Sequence, residues 1–91
     1  MKLKNIEMYS TATCGYCRRA KQLLVEMGVT EITEHTMGVD GMNPVMVQEH
    51  IDRINPSFGA VTTVPQIIVD GVHIGGYTEL AKYIDENKEK E

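Results

Sequence analysis

Several things are scarce in these 91 residues, and each scarcity removes a class of function. Positive charge is the first: nine lysines and arginines stand against thirteen aspartates and glutamates, for a formal net charge of −4. That balance supplies no electrostatic reason to expect nucleic acid or a membrane surface as a partner. Long apolar runs are missing as well, and none approaches the roughly 20 residues of a membrane span. No leader-like segment is visible, because Met1-Lys2-Leu3-Lys4-Asn5 runs straight into a strand-like stretch. The expected location is therefore cytoplasmic. The length leaves no room for a second core, so residues 1–91 are read as one small domain. Neither internal repeats nor low-complexity segments occur, and a hydrophobic fraction of 42% argues against disorder. Cysteine is the last scarcity and the informative one, with only Cys14 and Cys17 present.

The two thiols are three residues apart, one helical turn, so both sulfurs can share a face and close into a disulfide. The stretch before them reads as a strand and the stretch after them as an amphipathic helix. One thiol then sits at a helix N-terminus, where a thiolate is favoured. The helix terminus contributes ~0.3–2 kcal/mol toward an anion, which is about one pKa unit at best. In this redox reading Cys14, at the mouth of the helix, is the nucleophile, and Cys17, deeper and on the apolar side, is the resolving thiol. Further lowering of the Cys14 pKa would have to come from hydrogen bonds to the sulfur and from Arg18 or Lys21. Two other readings compete. A zinc half-site needs two more ligands, and His35, His50 and His73 lack H-x3-5-H spacing, so no metal site is expected. The pair could also be buried and inert, although a glycine between the thiols suits access better than packing.

Taken in order, Leu3–Tyr9 alternates as a strand with Ile6 and Met8 on one face. Gly15–Met27 reads as a helix burying Cys17, Ala20, Leu24 and Met27, and Gly28 suits its left-handed termination. Glu31–Met37 is a second, weaker strand, followed by a loop over 38–42. Asn43-Pro44 is a helix start, with Asn as cap and Pro at the first helical position. Val47, Ile51 and Ile54 form the inward stripe before Asn55-Pro56 ends that helix. Gln66–Val69 is a buried strand, Asp70-Gly71 a hairpin turn, and Val72–Ile74 its partner. A last helix runs from Tyr77 to about Asn87, with Leu80, Ala81 and Ile84 inward, and Glu86–Glu91 reads as a charged, solvated end. The three histidines read most simply as surface or strand residues. The order β-α-β-α-β-β-α combines a parallel crossover with a hairpin, which closes as an α/β fold with a four-stranded mixed sheet flanked by three helices.

Two further stretches carry potential chemistry. In Thr62-Thr63-Val64-Pro65 a proline at a strand entry removes a ladder donor. A cis bond there would turn the chain sharply and expose the backbone of Val64 to an extended ligand, while an ordinary trans proline opening a strand is the alternative. In Gly75-Gly76-Tyr77-Thr78-Glu79 a double glycine ahead of a helix frees backbone N–H groups for a carboxylate or phosphate. Thr78 can cap and Glu79 can receive a cation. A simple strand-to-helix turn with a capping threonine explains the same residues.

The combination C-G-Y-C-R-R-A-K-Q-L-L, T-V-P-Q-I-I-V-D-G and H-I-G-G-Y-T-E-L, in that order and spacing, closely resembles the dithiol glutaredoxins from Met8 to about Ile84. The likeness is weakest between Thr30 and Ala60. The resemblance implies a thioredoxin-like fold with a cis-proline, Pro65, facing the first cysteine. It implies a glutathione-dependent disulfide oxidoreductase in which Cys14 attacks protein or glutathione disulfides, Cys17 resolves, and glutathione is the reducing co-substrate. Tyr16 would line the groove, and Thr63, Val64 and Pro65 would pair with the cysteinyl part of glutathione. Gly76, Tyr77, Thr78 and Glu79 would hold its γ-glutamyl end, Glu79 standing where the family usually has aspartate. Disulfide-containing proteins, ribonucleotide reductase first among them, are the implied partners of a monomer.

The chain departs from the family at three places. Thr11 replaces a common lysine, and the Gly59-Ala60-Val61-Thr62 loop carries no basic residue or glutamine. Losing a charged hydrogen bond at the glycyl end would weaken glutathione binding about tenfold or more unless Arg18 or Gln48 compensates. Gly15 replaces the usual proline and loosens the first helical turn. Some glutaredoxins with a small residue there hold a 2Fe–2S cluster between two subunits, so a cluster-binding dimer is one alternative function. A redoxin fed by thioredoxin reductase is another. A colourless monomer after anaerobic cluster reconstitution would exclude the cluster reading.

Overall fold

The computed structural model describes residues 3–39 and 42–87. The loop reading at Asp40-Gly41 and the terminal reading over 88–91 lie outside them. The elements follow in the order β1 (Ile6–Ser10), α1 (Gly15–Glu26), β2 (Ile32–Thr36), α2 (Pro44–Ile54), β3 (Gln66–Val69), β4 (Val72–Gly75) and α3 (Tyr77–Asn87). The sheet order is β2-β1-β3-β4, with β1 and β2 parallel and the other neighbours antiparallel. This is the expected mixed sheet with three helices.

Strand alternation divides the core between two faces. Ile6 and Met8 of β1, with Ile67 and Val69 of β3, pack against Cys17, Ala20 and Leu24 of α1 and Leu80 and Ile84 of α3. Tyr9 and Ile68 point the other way, onto Val47 and Ile51 of α2. Helix α1 carries Cys17 and is capped by Cys14, so its seating fixes where both cysteines lie. Its far end closes as the sequence predicts: Gly28 has φ +88, and the N–H groups of Gly28 and Val29 donate to Val25 and Leu24 at 3.0 Å each. That pair of bonds is a Schellman closure.

Helix α2 starts at Pro44, and the Asn43 side chain accepts from the Met46 N–H at 3.1 Å. Replacing Asn43 with alanine should cost about 1 kcal/mol, seen as a midpoint lowered by about 4–8 °C in thermal unfolding.

Several bounds and part of the core differ from the reading of the sequence: β2 is one residue shorter at each end, and β4 runs on through Gly75. β1 begins at Ile6 and not Leu3, because Asn5 adopts φ +53 and its side chain donates to Asp70 at 2.9 Å, turning the chain before the ladder starts. Ile54, Ala81 and Met27 are half-buried at the core's rim, and Val47, Ile51, Leu80 and Ile84 provide the fully buried contacts. The Asp70-Gly71 hairpin forms as expected, with both residues at positive φ (+51 and +80).

Candidate active site

Cys14 is the N-cap of α1. Its backbone is extended, and its sulfur accepts the Cys17 N–H at 3.0 Å. The side chain that would carry a negative charge thus already occupies the place where a capping oxygen normally sits, at the positive end of a 12-residue helix with no acid in its first turn. Cys14 and Cys17 are joined as a disulfide, their Cα atoms 5.2 Å apart. Cys17 is only 2% exposed, whereas Cys14 is half-buried, so an incoming thiolate reaches the Cys14 sulfur first.

Facing Cys14 is the strand-entry turn. The Val64–Pro65 peptide is cis, and the Val64 carbonyl oxygen lies 3.8 Å from Cys14 Sγ. Of the two readings of Pro65 left open by its local sequence, the cis form is the one present. Beside this contact runs a shallow pocket of about 150 Å³ lined by Tyr16, Thr63, Val64, Pro65, Gly76, Tyr77, Thr78 and Glu79. The eight residues expected along the cysteinyl and γ-glutamyl parts of a ligand therefore border one depression next to Cys14. Tyr16 is 58% exposed and its ring stands 6.0 Å from that of Tyr77, with the Arg19 guanidinium 5.5 Å above it. A second pocket of about 220 Å³ shares Thr63 and Val64 with the first and is walled by Thr11, Met37, Pro44, Val47 and Val61.

Two side chains are not free for the parts the sequence suggests. Gln48 is committed to the loop: its Oε1 accepts the Val61 N–H at 2.7 Å, and its Nε2 donates to Gly59 O at 3.0 Å and Asp52 Oδ1 at 2.8 Å. Both amide hydrogens are used, so Gln48 has no donor left for a glycyl carboxylate. Glu79, at the third position of α3, reaches back so that its Oε1 accepts the Gly76 N–H at 3.0 Å. That carboxylate covers a donor expected to meet a ligand, and it takes the capping part that the sequence suggested for Thr78. Arg18, by contrast, is exposed at the surface of α1.

His73 is a strand residue of β4, as read, but a buried one bonded at both ring nitrogens. It is 8% exposed on the α2 face of the sheet, opposite Ile68, with the Phe58 ring edge-on at 4.5 Å. Nε2 lies 2.7 Å from Gln66 Oε1, and Nδ1 lies 3.0 Å from Asn55 Nδ2. Gln66 is itself buried and donates from Nε2 to Thr63 O at 2.9 Å. Burial pushes the His73 pKa down, and the charge of the Glu79 carboxylate opposes this. A group held below its unfolded value stabilises the fold fully above about pH 6.5. That stability is lost as pH falls through the lowered folded value. Unfolding free energy should thus decline on the acid side in the wild type, and His73→Gln should flatten that slope in a denaturant series across pH. A signal for this buried pair exists in the sequence. The two-residue hairpin sets His73 across from Ile68, and alternation puts Gln66 on the same face, so two polar groups meet where a core position would be.

Comparison with known proteins bears on the same residues. The glutaredoxin family model matches residues 6–74. Glutaredoxin 3 of Escherichia coli K12 is 41% identical over 78 residues, covering 86% of this chain and 83% of its own. Among solved structures, glutaredoxin 1 of Francisella tularensis, complexed with cacodylate, superposes with a TM-score of 0.67 at 28% identity, covering 93% of this chain and 92% of its own. A buckwheat glutaredoxin–glutathione complex superposes with a TM-score of 0.64 at 25% identity, covering 91% of this chain and 70% of its own. With its cysteine pair capping a helix opposite a cis-proline in a thioredoxin-like sheet, this chain belongs to the glutaredoxin family of thiol–disulfide oxidoreductases.

Proposed function

We propose that the protein reduces protein disulfides and glutathione mixed disulfides through Cys14, with Cys17 as resolving thiol and glutathione as electron donor. The observation that carries this reading is the setting of the Cys14 sulfur. It is capped by the Cys17 N–H at 3.0 Å and lies 3.8 Å from the Val64 carbonyl, beside the pocket that ends at Gly76–Glu79. In the reduced protein the helix N-terminus and that N–H favour the Cys14 thiolate, which attacks a substrate disulfide and expels one substrate thiolate. Cys17 then attacks the Cys14 sulfur of the mixed disulfide, releasing the second thiol and forming the Cys14–Cys17 bond. One glutathione thiolate opens that bond at Cys14 and leaves Cys17 as a thiolate. A second removes the first as oxidised glutathione, returning Cys14 to the thiolate.

In this reading the cysteinyl backbone of glutathione pairs with Val64 between Thr63 and Pro65, with Tyr16 as a side wall. The γ-glutamyl end enters the turn of Gly76, Tyr77, Thr78 and Glu79, where its carboxylate competes with Glu79 for the Gly76 N–H and its amine meets the displaced acid. Glu79→Gln keeps the back-bond to Gly76 but removes the charge. The glutathione KM should rise about two- to fivefold with kcat unchanged, the scale of an exposed ion pair. An unchanged KM would remove Glu79 from the site. We further propose a cytoplasmic monomer serving disulfide proteins such as ribonucleotide reductase. The deciding experiment is turnover of a glutathione mixed disulfide with glutathione and its reductase. Turnover supported only by thioredoxin reductase would make the protein a redoxin of another kind.

A further inference from the structure

The wall that a ligand would pair with is held from behind by side chains the reaction does not touch. Gln66 lies 2.9 Å from the Thr63 carbonyl through Nε2, which must therefore be the donating NH2 group. A weaker 3.4 Å contact reaches Thr63 Oγ1. Its other terminus, Oε1, can then only accept, and the atom 2.7 Å away is His73 Nε2, which must carry the proton. His73 Nδ1 is thereby left as an acceptor, filled by Asn55 Nδ2 at 3.0 Å. Each role forces the next, so the relay runs one way: Asn55 to His73 to Gln66 to Thr63. Gln66 is 1% exposed and His73 8%, and among the described residues no buried side-chain nitrogen or oxygen lacks a partner. Asn55 is the C-cap of α2, the helix whose Gln48 also grips the loop at Gly59 and Val61. The segment from α2 to Pro65 is thus tied back to that helix at Gly59, Val61 and, through the relay, Thr63.

We propose that Gln66 and His73 are positioning residues: their relay from the end of α2 fixes the Thr63 carbonyl and so aims the Val64 backbone at the ligand beside Cys14. This rests on the reading of the Val64 turn as the ligand-pairing edge. Neither residue meets the reacting sulfurs. Their loss therefore shows in ligand binding and leaves the intrinsic reactivity of the thiolate alone.

Four proteins test this: wild type, Gln66→Glu, His73→Asn and His73→Gln. In Gln66→Glu the new carboxylate can still accept from His73 but cannot donate to Thr63. The shorter amide of His73→Asn reaches only the Nδ1 place and loses Gln66, whereas the amide of His73→Gln puts a donor near the Nε2 place and keeps it. KM for a glutathione mixed disulfide should rise about three- to tenfold in Gln66→Glu and His73→Asn, and stay within about twofold of wild type in His73→Gln. In all three variants, kcat and the rate at which iodoacetamide alkylates reduced Cys14 should stay within about twofold of wild type. A KM rise equal in His73→Asn and His73→Gln, or an alkylation rate that falls as KM rises, overturns the relay. Nitrogen NMR of the wild type decides it without any substitution: His73 protonated at Nε2 is required, and a proton at Nδ1 overturns it. If the wild type turns over no mixed disulfide, the reading of the site falls and the relay's function falls with it.

Discussion

Cys14→Ser should lower disulfide reduction by about 10³-fold or more, because a serine hydroxyl at the same helix cap stays protonated and is no nucleophile toward sulfur. The capping hydrogen bond from the Cys17 N–H survives the change, since a hydroxyl oxygen caps better than sulfur. Stability of the reduced protein should therefore hold while activity disappears. Cys17→Ser separates the two thiols. Cys17 is 2% exposed and lies behind Cys14, so its expected part is attack on the Cys14 sulfur from within. Without it, a protein substrate remains linked to Cys14 and dithiol reduction stops. Glutathione mixed disulfides, released by a second glutathione, should still turn over within about threefold of wild type. Rates on one substrate of each class, measured for both variants, check this division. Equal losses on both substrates in Cys17→Ser would contradict it.

Gly75→Ala should be the most damaging change that spares the cysteines. Gly75 has φ +124, a conformation that L side chains rarely adopt, so any side chain strains the backbone there. An added Cβ would also stand 3.0 Å from Cβ, Cγ and Oε1 of Glu79. The carboxylate bonded to the Gly76 N–H is then pushed off its place. Strain of this kind costs about 1–3 kcal/mol, a fall of about 5–20 °C in the unfolding midpoint for a domain of this length. The glutathione KM should rise as well, because Glu79 borders the pocket. Gly28→Ala is the control. Its φ is +88 but nothing lies within 4 Å of an added Cβ, so it should lose stability without loss of binding.

Much of this site was legible in the sequence because its main signals are local. The three-residue cysteine spacing, the Asp70-Gly71 hairpin and the cap at Asn43 each depend on a few neighbouring dihedrals, and all three form where expected. What escaped was the use of side chains whose partners are distant in sequence. Gln48 looked available for a ligand, yet its amide is used up 11 and 13 residues away, at Gly59 and Val61. Glu79 looked like a waiting acid, but its extra methylene lets it fold back onto Gly76, an option set by the turn at Gly75. The hairpin register brings Gln66 to His73, but nothing local reveals that Asn55, 18 residues away, closes on the other side of its ring. The isomer of Pro65 was likewise undecided by its own neighbours, and only the likeness to a family pointed to cis.

Every step of the proposed cycle runs through the Cys14 sulfur as the atom that carries the substrate. Incubating reduced Cys17→Ser with oxidised glutathione and mapping the adduct by peptide mass spectrometry tests that directly. The expected result is one glutathione per chain, bound as a disulfide at Cys14 and released by fresh glutathione. A Cys14 that stays unmodified at concentrations of oxidised glutathione that sustain turnover of the wild type would contradict it.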